Sequence, residues 1–200
     1  MDTLLAALAA YLLGSVSFAV VVSRVMGLPD PRSYGSKNPG ATNVLRSGSK
    51  AAALVTLFGD AAKGWVAVWA AQNLPGPDAT LAIAAAALAV VLGHMYPVFH
   101  RFQGGKGVAT SLGVLIALDW RIALGAAATF LILVAFFRFV SLGSMAGAAF
   151  AAFFAFFIYG AHPWSWAVLA IAVFTVWRHR GNIGKLIAGT EGRLGAKKTG

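Results

Sequence analysis

The chain contains no cysteine, so neither a disulfide framework nor a thiolate nucleophile or metal ligand is available to it. Carboxylates are scarce: six Asp and Glu residues stand against sixteen Lys and Arg. Only four histidines occur, His94, His100, His162 and His179, and they are scattered. A metal centre is not expected from such a donor set, and no cofactor is implied. Charged residues make up 11% of the 200 and hydrophobic ones 59%, with a mean hydropathy of +0.77. That balance excludes an ordinary soluble domain and points to a polytopic membrane protein. The first apolar segment lacks a basic leader and an obvious small-residue cleavage site, so it is expected to remain as a membrane helix.

The net charge of +10 could suggest a nucleic-acid partner, but the charges sit in short segments between apolar runs. Orientation signalling, with an anionic lipid or substrate, explains that arrangement better, and no nucleic acid is expected. Apolar runs predict helices over residues 4–25, 51–72, 80–95, 108–118, 122–137, 142–159 and 164–177. The sequence NLPGPD (73–78) reads as a turn, as do 119–121, 138–141 and 160–163. Gly143 and Gly147, four apart, suit close helix packing. Fourteen of the sixteen basic residues fall in residue 24, the 28–50 and 96–107 segments, the 138–141 break and the tail from 178. Placing these in the cytoplasm puts the N-terminus outside and the C-terminus inside. The expected fold is therefore all-α, a single membrane domain of about seven transmembrane helices. A five-helix alternative leaves 108–121 as a re-entrant segment.

Every glycine-rich, basic segment then lies on one membrane face. In YPVFHRFQGGKGVAT (96–110), Gly104, Gly105 and Gly107 surround Lys106, and an apolar run opens directly after them. Glycines allow backbone N–H groups to converge, and a helix starting near Gly107 aims its positive end at the same point. With Lys106 this makes an expected anion site, suited to phosphate. A tight turn with Lys106 as a topology signal is the competing account. In GSKNPGATNVLR (35–46), Ser36 or Asn38 can cap a helix and Pro39 suits its first position. Gly40, Thr42, Asn43 and Arg46 add convergent donors, and Thr42 and Arg46 are four apart, on one helical face. A capped surface helix accounts for the first turn but leaves those donors without an acceptor. In the tail, His179, Asn182 and Lys185 can share one face. A basic amphipathic helix on anionic lipid explains the tail as well. Arg138, Ser141 and Ser144 add a polar group at the same membrane face. Asp60 and Lys63, three apart in an apolar helix, should pair and face the bundle interior, more as a brace than a ligand. His94 at the end of the third helix reads first as a structural histidine. The loop is not a P-loop, because position 100 is His and Gly107 follows Lys106. No histidine is followed five positions later by Asp, which excludes the pattern of soluble-type glycerolipid acyltransferases.

Taken together, residues 36–46, 93–110 and 182–191 resemble the three motifs of the bacterial acyl-phosphate:glycerol-3-phosphate acyltransferase family (PlsY type), in order and end to end. Lys37 departs from the family's small residue after the serine, and Lys185 stands where arginine is usual. The resemblance implies an enzyme of the bacterial inner membrane with its site toward the cytoplasm. It would move a fatty acyl group from acyl phosphate to the 1-hydroxyl of glycerol 3-phosphate, early in phospholipid synthesis, without metal. Membrane lipid and the two substrates are the implied partners, and a monomer is expected. On that basis Arg46, Lys106, Asn182 and Lys185 would hold the glycerol 3-phosphate phosphate. The 36–43 nest and the Gly104, Gly105 and Gly107 amides would hold the acyl phosphate head, with Ser141 as a further phosphate ligand. Ser36 and His179 would orient or deprotonate the acceptor hydroxyl. A membrane transporter of phosphate-bearing metabolites is the alternative, although the motifs have no matching set on the other face.

Overall fold

The computed structural model describes residues 2–74 and 79–195. These form α-helices with two short 3-10 turns, and no strand occurs among the described residues. Most of the NLPGPD turn, residues 75–78, lies outside the described residues, as do Lys197 and Lys198. The chain divides into two compact units, the first ending at Leu118 and the second starting at Asp119. The first holds α1 (Asp2–Gly14), α2 (Phe18–Val25), α3 (Ala41–Val44), α4 (Lys50–Gln72), α5 (Ala79–Met95) and α6 (Val108–Leu118). The second holds α7 (Trp120–Phe137), α8 (Val140–Tyr159), α9 (Pro163–Arg178) and α10 (Arg180–Ile187).

Among the described residues, five segments are long and apolar enough to cross a membrane: Asp2–Val25, Lys50–Gln72, Ala79–His100, Trp120–Phe137 and Val140–Tyr159. A straight span takes roughly 20 residues; α6 has 11 and α9 has 16. The distribution of side-chain size supports a lipid environment. Large apolar groups such as Leu4, Phe58, Trp69, Phe136 and Phe157 point outward. The interior is mostly alanine, valine, glycine and serine, the residues that let helices approach when lipid is as apolar as leucine. Against Gly14 and Gly93, α1 and α5 meet so closely that a Cβ on either would lie 2.2 Å from a backbone oxygen of the other helix. The expected packing role of Gly143 and Gly147 holds: a Cβ there would lie 2.9 Å from Phe130 O and 2.8 Å from Ala126 O on α7.

The continuous helix expected over 4–25 is broken after Gly14, and α2 restarts at Phe18. Ser15 Oγ turns back to donate to Tyr11 O at 2.9 Å, and Ser17 takes an extended backbone ahead of α2. A break inside an apolar span exposes carbonyls that lipid cannot satisfy. Here Lys63 of α4 satisfies them, its Nζ donating to Gly14 O at 3.0 Å and Val16 O at 2.7 Å. The bracing role expected of Lys63 is therefore explicit. The polar turn expected over 119–121 shrinks to Asp119, which caps α7 by accepting from Arg121 N at 2.8 Å, so Trp120 and Arg121 are already helical.

Candidate active site

In the first unit the 31–46 segment is organised by one buried amide. Asn43 Oδ1 accepts from Ser36 N at 3.0 Å, while Nδ2 donates to Pro31 O at 2.6 Å and Tyr34 O at 3.2 Å. Both amide hydrogens of Asn43 are thus spent on the loop. Gly35 takes φ +59°, and a Cβ on it would lie 2.4 Å from Asn43 Oδ1 and 3.2 Å from Arg46 Nη1. The bare Cα therefore lets the guanidinium of Arg46 settle beside the residue that precedes Ser36. Ser36, Thr42 and Arg46 are exposed, and Asn38 and Gly40 are half-buried.

Two local expectations are corrected. Neither Ser36 nor Asn38 caps the following helix, and Pro39 is not its first residue: α3 starts at Ala41 after an extended Gly40 (φ −155°, ψ 162°). Asn43 ties the chain back to residues 31–36, which leaves 36–40 irregular. After Val44, α3 gives way to a 3-10 turn over Leu45–Ser47, which carries Arg46. Upstream, the Arg32 guanidinium hydrogen-bonds Asp30 and holds its carboxyl below the usual range.

The second loop of this unit folds back onto the end of α5. Gly105 N donates to His94 O at 3.1 Å. A Cβ on Gly104 would meet His94 O at 2.2 Å, and one on Gly105 would meet the His94 ring at Nε2, 2.1 Å away. These two glycines are thus required by packing, and the Gly105 N–H is committed within the loop. Gly107 turns the chain at φ +83°, and α6 begins at Val108 as expected, with Ser111 N bonded to Gly107 O at 2.7 Å. Lys106 is half-buried in the loop, two residues before that helix starts. The Ser36 and Gly105 amides are therefore committed within their own loops.

The second unit assembles its own set. Glu191 Oε1 accepts from Ser141 Oγ at 2.6 Å and from Asn182 Nδ2 at 2.7 Å. Ser141 and Asn182 are thereby brought together, with exposed Lys185 further along α10. Arg138 does not project as a donor to ligand; its Nη2 and Nε hold Leu194 O at 2.7 and 3.0 Å, tying the tail to the α7–α8 corner. Ser144 is buried and donates to Val140 O at 2.8 Å. His179 is buried between α9 and α10, its Nδ1 2.8 Å from Thr175 O. A carbonyl only accepts, so Nδ1 carries the proton and Nε2 is the basic nitrogen of the neutral ring.

Glu191 closes the third motif, residues 182–191, but has no role assigned to it from the sequence. It is the only glutamate of the chain, set in a basic tail, which is the signal that marks it for a specific partner. Among the described residues no three His, Asp or Glu side chains come together as metal ligands would.

The helices and these two polar sets define a multi-pass membrane protein whose polar segments are braced by Asn43 in one unit and by Glu191 in the other. A family model for glycerol-3-phosphate acyltransferase matches residues 4–189, so the chain belongs to that family. Curated proteins named glycerol-3-phosphate acyltransferase from Burkholderia orbicola (strain MC0-3) and Burkholderia ambifaria (strain MC40-6) are 63% and 62% identical, over 99% of this chain and 96% and 93% of theirs. The fold is similar to the crystal structure of PlsY (YgiH), an integral membrane glycerol 3-phosphate acyltransferase. Its glycerol 3-phosphate form gives a TM-score of 0.91 at 38% identity, covering 98% of this chain and 96% of that one. Its lysophosphatidic acid form gives 0.89 at 37% identity, with the same coverage.

Proposed function

We propose that this chain transfers a fatty acyl group from acyl phosphate to the 1-hydroxyl of sn-glycerol 3-phosphate, giving lysophosphatidic acid and inorganic phosphate. The observation that carries this reading is the placement of Arg46 beside the loop that bears Ser36. A permanent cation and a hydroxyl are held by a rigid, buried asparagine brace. Arg46 and Lys106 bind phosphate, and Ser36 orients the reacting groups. In the second unit, Asn182 and Lys185 are further phosphate donors, Ser141 supports them, and His179 Nε2 takes the proton unless the departing phosphate does. The acceptor oxygen forms the ester bond to the acyl carbon. The bond from that carbon to the phosphate oxygen breaks, and phosphate leaves with the electron pair. Because acyl phosphate is already activated, positioning and charge stabilisation supply much of the rate.

The same reading gives seven spans in the bacterial inner membrane, with α6 and α9 as short ones. The N-terminus is outside, and segments 28–50, 96–107 and 178–200 face the cytoplasm. The concentration of basic residues in those segments supports it. A reporter fused after Gly200 should read cytoplasmic and one inserted at Gly76 periplasmic; the opposite result at either point sinks this topology. For the reaction, the purified protein is supplied with palmitoyl phosphate and glycerol 3-phosphate. Formation of lysophosphatidic acid with phosphate is expected. Glycerol 3-phosphate counterflow in proteoliposomes without acyl transfer would overturn the reading in favour of a transporter.

A further inference from the structure

We propose that His94 is a positioning residue for the glycine-rich loop, itself held by the buried Asp60–Lys63 pair. A chain of contacts starting at the break in the first span thereby sets the geometry beside Lys106. The chain is continuous. Lys63 Nζ donates to Gly14 O and Val16 O and forms an ion pair with Asp60 Oδ1 at 2.8 Å. Asp60 Oδ1 stands 3.4 Å from His94 Nδ1, and the three side chains are only 1%, 3% and 5% exposed for Lys63, Asp60 and His94. The far edge of the imidazole faces the loop, where a Cβ on Gly105 would collide with Nε2. His94 also holds Gly105 through its own carbonyl. The residue thus grips the loop by backbone and by ring, one position before Lys106.

Bracing the helix break accounts for Lys63 and its carboxylate partner but not for the imidazole packed against that carboxylate. Removing ions from water is costly, and apolar side chains of similar volume generally pack at least as well. What a carboxylate adds is direction. Standing 3.4 Å from Nδ1, it attracts that edge of the ring and leaves Nε2 toward Gly105. Lys63, by closing the carbonyls of the helix break, fixes where that carboxylate stands. Loss of the ring leaves the loop free to shift, and misplacement of reacting groups by about 1 Å can cost on the order of a hundredfold in rate.

The inference rests on the acyltransferase reading for its kinetic arm, and a second arm is independent of it. The kinetic arm is a double-mutant cycle on the full-length protein. His94→Ala and Gly105→Ala should each lower kcat strongly. The pair should be more active than the product of the two losses by about tenfold or more, because the new methyl occupies the space the ring vacated. If the losses multiply, ring and loop are uncoupled and the inference fails. Should His94→Ala not fold, His94→Asn keeps a donor toward Asp60 with a shorter side chain and enters the same cycle. The second arm is hydrogen exchange of the 104–107 amides without substrate. It should accelerate in His94→Ala or His94→Asn and in Asp60→Leu, while amides in α7 and α8 keep their rates. Unchanged loop exchange overturns the inference whatever the activity. A wild-type protein that transfers no acyl group, with loop exchange accelerated in the variants, refutes the acyltransferase reading alone.

Discussion

Glu191 holds Asn182 by one carboxylate oxygen at 2.7 Å, and the same oxygen takes Ser141 at 2.6 Å. A charged acceptor shared by two donors from different helices orients both at once. Hydrogen bonds to charged groups contribute about 1.5–3 kcal/mol. Glu191→Ala should raise the apparent KM for glycerol 3-phosphate by roughly ten- to a hundredfold. Glu191→Gln, which keeps an acceptor oxygen, should lose much less. Equal effects of the two substitutions in steady-state kinetics would show that charge, rather than orientation, is what Glu191 supplies.

Lys106→Ala should remove nearly all activity while expression stays intact, since a charge-assisted contact strengthened in the transition state is lost. Activity within about twofold of the parent would leave Lys106 as a topology signal only.

Arg46 and Ser36 should separate binding from chemistry. Arg46→Ala removes a permanent cation and should raise the KM for glycerol 3-phosphate strongly, with a smaller effect on that for acyl phosphate. Ser36→Ala should lower kcat with less change in KM. Measuring both constants for both substrates decides the matter, and the reverse pattern exchanges the two roles.

Lys37 takes φ +56°, a left-handed conformation in which a side chain costs roughly 1 kcal/mol. Lys37→Gly relieves that cost but adds freedom to the unfolded chain, so the unfolding midpoint should be unchanged or slightly raised. Lys37→Val should lower it, because a β-branched residue fits that region poorly. Thermal unfolding in detergent checks the pair, and equal midpoints for Gly and Val would contradict the local geometry.

Asp119 is hydrogen-bonded by the Arg121 guanidinium at 2.7 Å and by the Tyr159 hydroxyl at 2.6 Å, which hold its carboxyl at about 2 against an ordinary 3.8. The folded state binds this proton more weakly than the unfolded chain. The stability it contributes is therefore complete above the ordinary value and is lost as pH falls from 3.8 through about 2. Asp119→Asn should flatten the pH dependence of the unfolding midpoint in that window. An unaltered acid profile would remove Asp119 as its source.

Much was determined by the sequence alone. Apolar runs and scarce charge define helices in lipid, because a spanning backbone must satisfy its own hydrogen bonds. The ends of α4, α5 and α6 follow from composition to within a residue. The Asp60–Lys63 pair is legible because two charges three apart in an apolar helix have few other uses. Three ordered motifs identify the family. What only the tertiary structure decided are the contacts between segments distant in the chain. The helix break at Ser15 is stabilised by a lysine almost fifty residues later, with an |i−j| of 49 for Gly14 and Lys63. Asn43 reads as a ligand by motif and becomes a loop brace because carbonyls of Pro31 and Tyr34 reach its amide first. Glu191 acquires its role only when Ser141 and Asn182 converge on it. Such pairings depend on which backbone groups the fold leaves unsatisfied, and local sequence pattern does not carry that information.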